Sequence, residues 1–363
     1  MNFPVNNESI EKLIQKINPK EYARTRNFKN GSITHLGPYL SRGYLSTKII
    51  LKKVKAAGHS WSDSEKLVQE LLWRDYWQLK WQTMAKLNPL ENRSTQELDS
   101  PNFLPKAIHE AKTGIAVVDH AIKELYSTGY MHNHMRMYVA SICCNIAGSN
   151  WQIPARWMYA NLLDGDVASN SLNWQWVSGK VSKKKYYANQ DNINKYFFSD
   201  QKETFLDVSY DKIQSRKAPG VLKESFPLNL KTKLPCPSKN ATLSNQKTLL
   251  YNYYNLDPNW KAEQSLQRVL LLEPSAFQSY PISHHCLQFA LALANNIRGL
   301  KIFIGEFTDL SRMIDPQNVI YKEHPLNSNY LGKEEERDWM TQNKEDFPSF
   351  FKFWNTVKGN LKW

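Results

Sequence analysis

The chain has 363 residues, with 47 Lys or Arg against 34 Asp or Glu and a formal net charge of +13. This length predicts about two domains and a sizeable core, and the absence of any run of 18 apolar residues excludes a membrane-spanning helix. The four cysteines form no CxxC pair and are too few for a disulfide framework, which predicts a reducing, cytoplasmic location.

The positive charge is concentrated in the first two thirds of the chain. Residues 1–250 contain 35 Lys or Arg and 21 Asp or Glu, a balance of +14, whereas residues 251–363 contain 12 and 13, a balance of −1. Eight of the 12 tryptophans also lie within the first 180 residues. Excess positive charge indicates either simple solubility or a polyanionic partner, for which nucleic acid is the usual candidate.

The first 200 residues predict a helical domain. The clearest helix opens at residues 62–65, Ser-Asp-Ser-Glu, which form a capping-box pattern, and it extends to about Leu87. Its faces carry two stripes at helical spacing, and Glu70, Trp73, Trp77 and Trp81 form one of them. Two more helices are predicted over about 116–126, closed by Gly129, and over about 134–146.

The remaining third has a different pattern. Prolines and lysines without apolar periodicity over 214–248 predict a surface linker. Beyond it, short apolar runs at 269–272, 301–307 and 319–321 predict strands, and 287–297 predicts a helix. We therefore predict a mainly α chain, with a helical domain over 1–213, a linker over 214–250 and a small βαβ-like α/β domain over 251–363.

Three groups of polar or aromatic residues could carry chemistry. The segment 22–46 contains helix starts and arginines that suit either phosphate binding or ordinary capping. Asp164 and Asp166 flank a glycine among apolar residues, and because a buried carboxylate needs a partner, Arg136 is the nearest candidate cation. No further ligands adjoin them at metal spacing, so we predict no metal. Trp174-Gln175-Trp176 lies in a segment that reads as irregular and suits core packing or stacking.

Four blocks of sequence, in order, carry a family resemblance. They read EYARTRNF followed by THLGPYLSRGYLS, ELLWRDYW, VDHAIKELYSTGYMHNHMRM, and DGDVASNSLNWQW. Together these blocks, within about residues 20–200, closely resemble the FAD-binding helical domain of the DNA photolyase/cryptochrome family. The resemblance implies an all-helical photolyase-type domain that binds FAD as its cofactor.

The resemblance also assigns roles at the flavin. It places Tyr22 and Thr34 at the flavin phosphates, pairs Arg136 with Asp164 beside the isoalloxazine ring, and places Asp166 near the ribityl–ring region. Asn170 is similar to the residue that faces flavin N5. Trp174 and Trp151 resemble the first two members of the tryptophan chain that transfers electrons to FAD.

Other matching positions imply a DNA substrate. In repair enzymes of the family, the positions of Glu70, Trp73, Asn133 and Trp176 hold a cyclobutane pyrimidine dimer flipped out of the duplex. Two indoles supply stacking surface, while a carboxylate and an amide supply hydrogen bonds to the base edges. DNA-backbone contacts are expected from four further basic residues: His134, Lys183, Lys184 and Lys185. The three lysines also suit a solvated surface run.

The chain departs from the family pattern in four respects. Only about 20 residues precede the first motif, as in short members without the N-terminal antenna domain. No Trp lies between Trp81 and Trp151, so the usual third member of the electron chain is missing, and Trp157 or a tyrosine could replace it. His134 replaces an arginine common at the DNA backbone, and Gly37 and Ile33 replace hydroxyl residues common at the phosphate site. Separately, the adjacent Cys143 and Cys144 do not match the iron–sulfur pattern of some relatives, so we predict no cluster.

The leading expectation is therefore light-driven repair of cyclobutane pyrimidine dimers in DNA, by electron transfer from photoexcited reduced FAD. The first alternative is a cryptochrome-like blue-light photoreceptor that does no repair, and the second is a helical nucleic-acid binder with a vestigial flavin site. DNA containing pyrimidine dimers is the expected partner, without membrane or metal, and the chain is expected to be a monomer.

Overall fold

The computed structural model describes residues 3–83, 101–181, 184–236 and 241–363. The chain divides into two compact units that interleave along the sequence. Among the described residues, the first unit contains 24–33, 101–181 and 184–230, and the second contains 3–23, 34–83, 231–236 and 241–363. The predicted division into 1–213, 214–250 and 251–363 stays a prediction.

The helices and strands are numbered in chain order. The helices are α1 (Asn7–Gln15), α2 (Pro19–Thr25), α3 (Gly37–Ser41), α4 (Thr47–Ala56), α5 (Trp61–Thr83), α6 (Lys106–His109), α7 (Ala116–Thr128), α8 (Asn133–Ser141), α9 (Gln152–Asn161), α10 (Val167–Val177), α11 (Gln190–Phe197), α12 (Tyr210–Ser215), α13 (Pro274–Ser279), α14 (His284–Ala294), α15 (Phe307–Leu310) and α16 (Phe350–Leu361). The strands are β1 (Leu104–Pro105), β2 (Ser225–Phe226), β3 (Thr248–Tyr251), β4 (Gln267–Leu272), β5 (Leu300–Ile304), β6 (Val319–Lys322) and β7 (Lys333–Glu335).

The first unit is mainly helical. Helix α7 ends at Gly129, whose left-handed backbone (φ 70°) closes the helix as the sequence predicts. Helix α8 continues into one π-helical turn over Ile142–Ile146. The predicted helix over about 134–146 is therefore confirmed, although its last turn is π-helical and not α-helical. Helix α10 packs against both α8 and α9, and β1 pairs with β2 in a short antiparallel ribbon.

The second unit is built on a parallel sheet. Five strands lie in the order β5-β4-β3-β6-β7, and every adjacent pair is parallel. All six residues of β4 are buried, as expected for a strand in the interior of a parallel sheet. The strand order reverses between β3 and β6, which is the arrangement of a doubly wound α/β fold. The chain thus combines helical and α/β parts.

Helix α16 packs along α5 within the second unit. Phe350 stacks on Trp73 with ring centroids 3.7 Å apart and planes at 12°. One turn further on, Phe353 stacks on Tyr76 at 5.8 Å. Trp354 then stacks on Trp61 at 6.3 Å. These aromatic contacts pack α16 against α5 and cover one face of the Trp73 ring.

Several predicted elements are confirmed and others are wrong. The strands near 269–272, 301–304 and 319–321 are confirmed as β4, β5 and β6, and the predicted helix near 287–297 is α14. The capping-box prediction is wrong, because α5 begins at Trp61 and the Ser60 hydroxyl accepts the amide of Asp63 at 3.2 Å. The segment with Trp174 and Trp176 is helical, not irregular. Within 214–250, β2 and the start of β3 replace part of the predicted linker.

No helix in the described ranges is both long and apolar enough to cross a membrane.

A buried carboxylate in the second unit gives a prediction about pH and stability. Asp75 accepts hydrogen bonds from the Thr47 hydroxyl (2.9 Å) and from the backbone amide of Met340 (3.0 Å). Burial raises the pKa of this carboxyl to about 6, although both hydrogen bonds oppose the shift. The folded state therefore favours the neutral acid, and its stabilisation is fully present only below the pKa of the unfolded chain.

We expect the free energy of unfolding to fall by about 2–3 kcal/mol between pH 4 and 7 through this one group, at 1.36 kcal/mol per pKa unit. Asp75→Asn, which cannot ionise, removes that fall. Urea unfolding of both proteins across this pH range measures it. Parallel pH profiles for parent and variant would contradict the prediction.

Candidate functional site

An ion pair joins two partly buried side chains that are among the predicted flavin residues. Arg136, on α8, places a guanidinium nitrogen 3.0 Å from the carboxylate of Asp164, in the turn between α9 and α10. The two side chains are only 20% and 18% exposed. Arg136 also donates from Nε to the Met131 carbonyl at 2.8 Å, which fixes the guanidinium plane. The structure thus brings together the two residues that the sequence pairs.

The turn that carries Asp164 requires a glycine next to it. A Cβ at Gly165 would lie 2.6 Å from the carbonyl oxygen of Tyr159 and 2.9 Å from that of Leu162, which real side chains do not allow. Asp166 then starts α10, because its side chain caps the amide of Ser169 at 2.8 Å. The two aspartates therefore have different tasks, one in an ion pair and one in a helix cap.

The first turns of α10 present two polar side chains. The amide nitrogen of Asn170 donates to the Ala155 carbonyl on α9 at 2.9 Å, which orients the side chain. The buried hydroxyl oxygen of Ser169 has no hydrogen-bond partner among the described residues. Burial of a hydroxyl without a hydrogen-bond partner destabilises the fold unless a ligand supplies that partner. These side chains therefore suit a polar ligand.

The two predicted electron-transfer tryptophans are buried in the same unit. Trp174 on α10 is 2% exposed, and Trp151, which precedes α9, is 1% exposed. The indole nitrogen of Trp151 has no hydrogen-bond partner in the described part of the chain. A third buried indole, Trp157, donates from Nε1 to the hydroxyl of Tyr126 at 2.9 Å.

The predicted DNA-facing residues of the first unit differ in accessibility. Trp176 is 39% exposed and lies 6.0 Å from the Tyr186 ring, while Asn133 is exposed at the start of α8. His134 packs between the rings of Tyr138 and Tyr196 at 4.5 and 4.6 Å.

The basic residues predicted to contact the DNA backbone differ in charge and exposure. Burial lowers the pKa of His134, so at neutral pH it is uncharged and a weak phosphate ligand. Lys184 and Lys185 are exposed, and Lys183 lies outside the described residues.

The other predicted residues belong to the second unit. Tyr22 lies on α2, and the hydroxyl of Thr34 accepts the amide of Leu36 at 3.3 Å, just before α3. Glu70 forms an ion pair with Lys66 at 2.9 Å on α5. The remaining member, Trp73, is half-buried beneath Phe350, so one face of its ring is covered. Its predicted role in stacking stays a prediction.

Comparison with known proteins finds relatives for the middle part of the chain. Residues 67–207 match the family model described as the FAD binding domain of DNA photolyase. This part of the chain is similar to the FAD-binding domain of DNA photolyases. A cryptochrome DASH of Natronomonas pharaonis is 31% identical over 188 residues, 49% of this chain and 40% of that protein. A deoxyribodipyrimidine photo-lyase of Vibrio cholerae is 29% identical over 172 residues, 44% of this chain and 36% of that protein.

The similarity to these photolyase/cryptochrome relatives is partial. The chain spans less than half the length of either curated relative. Among solved structures, a Synechocystis cryptochrome aligns with a TM-score of 0.46 and 26% identity, over 54% of this chain and 44% of that one. The Sulfolobus tokodaii photolyase aligns with a TM-score of 0.45 and 24% identity, over 59% and 51%.

FAD fits the chemistry of the residues present in this photolyase-type domain. A flavin ring offers carbonyl and N–H groups along its edge, which complement the guanidinium of Arg136 and the carboxylate of Asp164. The Ser169 hydroxyl supplies a further hydrogen-bonding group that is otherwise unsatisfied. Residues 67–207 match an FAD-binding domain, and Arg136, Asp164 and Ser169 have the chemistry to hold that cofactor.

Sequence reasoning missed three residues that bear on these groups. The Tyr126 hydroxyl contacts the imidazole of His109. The same hydroxyl accepts a hydrogen bond from the indole of Trp157. Phe350 covers Trp73. No local pattern in the sequence marks any of the three, because each acts on a residue far away along the chain.

Proposed function

We propose that this protein repairs cyclobutane pyrimidine dimers in DNA with the energy of blue light. Bound FAD supplies light absorption and one-electron transfer. The observation that carries the proposal is Trp176, which offers a large exposed indole on the FAD-binding domain. Curated relatives named deoxyribodipyrimidine photo-lyase support it.

The residues of the first unit have distinct tasks in this proposal. Trp176 stacks on a flipped pyrimidine dimer, and the exposed amide of Asn133 donates and accepts hydrogen bonds at the base edges. Lys184 and Lys185 attract the phosphate backbone. Asn170, whose side-chain amide donates to the Ala155 carbonyl, would face the flavin. Trp174 and Trp151 pass electrons through the buried interior.

Four further residues are proposed from the motif resemblance alone. Glu70 accepts hydrogen bonds from dimer N–H groups, and Trp73 adds stacking surface. Tyr22 and Thr34 would contact the flavin phosphates. These four assignments rest on the motif resemblance, and the coverage of Trp73 by Phe350 limits what that indole can contribute in the conformation described.

The test is blue-light turnover of a dimer-containing oligonucleotide by the fully reduced, flavin-loaded protein. We expect light-dependent loss of dimers and none in the dark. Absence of repair on single- and double-stranded substrates at every salt concentration would contradict the proposal.

The alternative is a cryptochrome-like photoreceptor without repair activity. Two observations favour it. Phe350 covers one face of the Trp73 ring. The lowered pKa of His134 leaves its imidazole uncharged at neutral pH, which removes a positive charge that could bind phosphate. Curated relatives named cryptochrome DASH are also consistent with it. A photoreceptor would bind flavin and undergo photoreduction, yet leave the dimers intact in the turnover assay.

Substitution of Trp176 gives a separate prediction about DNA binding. Base–aromatic stacking contributes about 1–3 kcal/mol per base, so Trp176→Ala is expected to weaken dimer-DNA binding roughly tenfold or more. Flavin content should not change. Tyr210→Ala, which removes a similarly exposed aromatic ring (45%), serves as the matched control. Equal affinities for Trp176→Ala and the parent would contradict the stacking role.

A further inference from the structure

A buried tryptophan is hydrogen-bonded to a tyrosine that reaches the surface of the first unit. Trp157 on α9 is 1% exposed, and its Nε1 donates to the Tyr126 hydroxyl at 2.9 Å. The two ring centroids are 6.2 Å apart at 79°. Tyr126, on α7, is 39% exposed. A direct hydrogen bond between two oxidisable side chains provides electronic contact from the interior to the surface.

The Tyr126 hydroxyl also has a proton acceptor within reach. It lies 2.8 Å from the carbonyl oxygen of His109 and 3.3 Å from the Nδ1 atom of the same residue. The imidazole stacks on Phe226 at 3.5 Å, which holds the ring in place. Burial lowers the pKa of His109, so the imidazole is neutral at pH 7 and able to take a proton. The carbonyl oxygen can accept the hydrogen bond but cannot keep the proton.

We propose that Tyr126 is the terminal electron donor of this protein, oxidised through Trp157 with His109 as the acceptor of its phenolic proton. The proposal deepens the proposed flavin photochemistry and rests on it for the primary oxidant, a photoexcited flavin that accepts one electron. When Trp157 has lost an electron, one electron moves from the Tyr126 phenol to the Trp157 indole. The phenolic proton moves to Nδ1 of His109, which leaves a neutral tyrosyl radical, a neutral indole and an imidazolium.

The hydrogen bonds of the three side chains explain why the radical would finally reside on Tyr126 and not on a tryptophan. Burial raises the pKa of the neutral Tyr126 phenol to about 12, so the phenol is protonated before oxidation and has a proton to release. Trp151 has no partner for its indole N–H in the described ranges, so oxidation there is not trapped by proton loss. Oxidation of Trp157 is passed to its hydrogen-bonded phenol. The route also replaces the third tryptophan that the sequence lacks.

Ultraviolet laser photoionisation tests the relay without flavin, because it removes electrons from buried indoles without a diffusing reagent. In the full-length protein, transient absorption should show tryptophanyl radicals converting into tyrosyl radicals. Tyr126→Phe and Trp157→Phe should each remove the same component of this conversion. Tyr210→Phe, which removes another exposed phenol, should leave it intact. Identical kinetics for Tyr126→Phe and Tyr210→Phe would overturn the proposal.

A second measurement uses the flavin-loaded protein under blue light. Electron paramagnetic resonance of the trapped protein radical should show a tyrosyl signal in the parent and a tryptophanyl signal in Tyr126→Phe. His109→Gln should slow tyrosyl formation, and added imidazole buffer should restore its rate. A tryptophanyl signal in the parent would overturn the proposal. If the protein binds no flavin, the proposed function fails while the photoionisation result still decides the relay.

Discussion

Asp164→Asn is expected to cost the protein both its flavin and about 3 kcal/mol of stability, because it leaves the partly buried guanidinium of Arg136 without its counter-charge. Removal of one partner from a buried ion pair is more costly than removal of both, since the remaining charge stays desolvated. Arg136→Ala should therefore have a similar effect. The free energy of unfolding comes from urea titration, and flavin stoichiometry from the absorbance of the purified protein.

A double substitution separates folding from cofactor binding. Arg136→Met with Asp164→Leu replaces the ion pair by apolar side chains, and such replacements are often neutral for stability. We expect the double variant to recover most of the lost stability and still to bind no flavin. The control is Lys106→Ala, which breaks the exposed pair with Glu224 and should change neither quantity. Full flavin loading in Asp164→Asn would show that this ion pair lies away from the cofactor.

The parts of the fold that the sequence predicts are those with strong local signals. Helix α7 has an apolar stripe and a terminating Gly129, so both its existence and its end follow from residues within one segment. Strands β4, β5 and β6 each contain a short apolar or aromatic run (VLLL, IFI and VIY) of the kind that strands of a parallel sheet favour.

The elements that were missed lack such signals. Strand β3 has only four residues and follows a stretch of lysines and prolines, yet it lies between β4 and β6 in the sheet. Strand β7 is the charged tripeptide Lys333–Glu335, which pairs only at the edge of the sheet. Their pairing depends on strands elsewhere in the chain, and a local pattern cannot show that. The interleaving of the two units has the same cause.

The candidate site shows the same division between local and long-range information. The aspartates of the DGD motif, the asparagine at 170 and the two tryptophans of WQW are recognisable from adjacent residues, and the Arg136–Asp164 pair follows from the need to neutralise a buried carboxylate. The Trp157–Tyr126 hydrogen bond joins α9 to α7, and Phe350 reaches Trp73 from the last helix. Only the folded chain shows those two contacts.

Phe350→Ala should have the largest effect on the second unit. Phe350 is 2% exposed and stacks on Trp73, whereas its neighbour Phe351 is 61% exposed. Truncation of a buried Phe costs about 3–5 kcal/mol, so Phe350→Ala is expected to destabilise by that amount. Phe351→Ala removes the same side chain from an exposed position and should be close to neutral. Urea unfolding of the two variants measures the difference, and equal losses would contradict the packing of α16 on α5.

The same pair of variants tests what Trp73 does in the proposed repair reaction. Loss of the Phe350 ring uncovers the face of Trp73 that it occupies, and a newly available indole face is worth roughly 1 kcal/mol or more in base stacking. We therefore expect Phe350→Ala to bind dimer-containing DNA several-fold more tightly than Phe351→Ala, at a temperature where both are folded. The gain should vanish in Phe350→Ala combined with Trp73→Ala. If Phe350→Ala binds no more tightly, Trp73 serves to dock α16 and the stacking assignment rests on Trp176 alone.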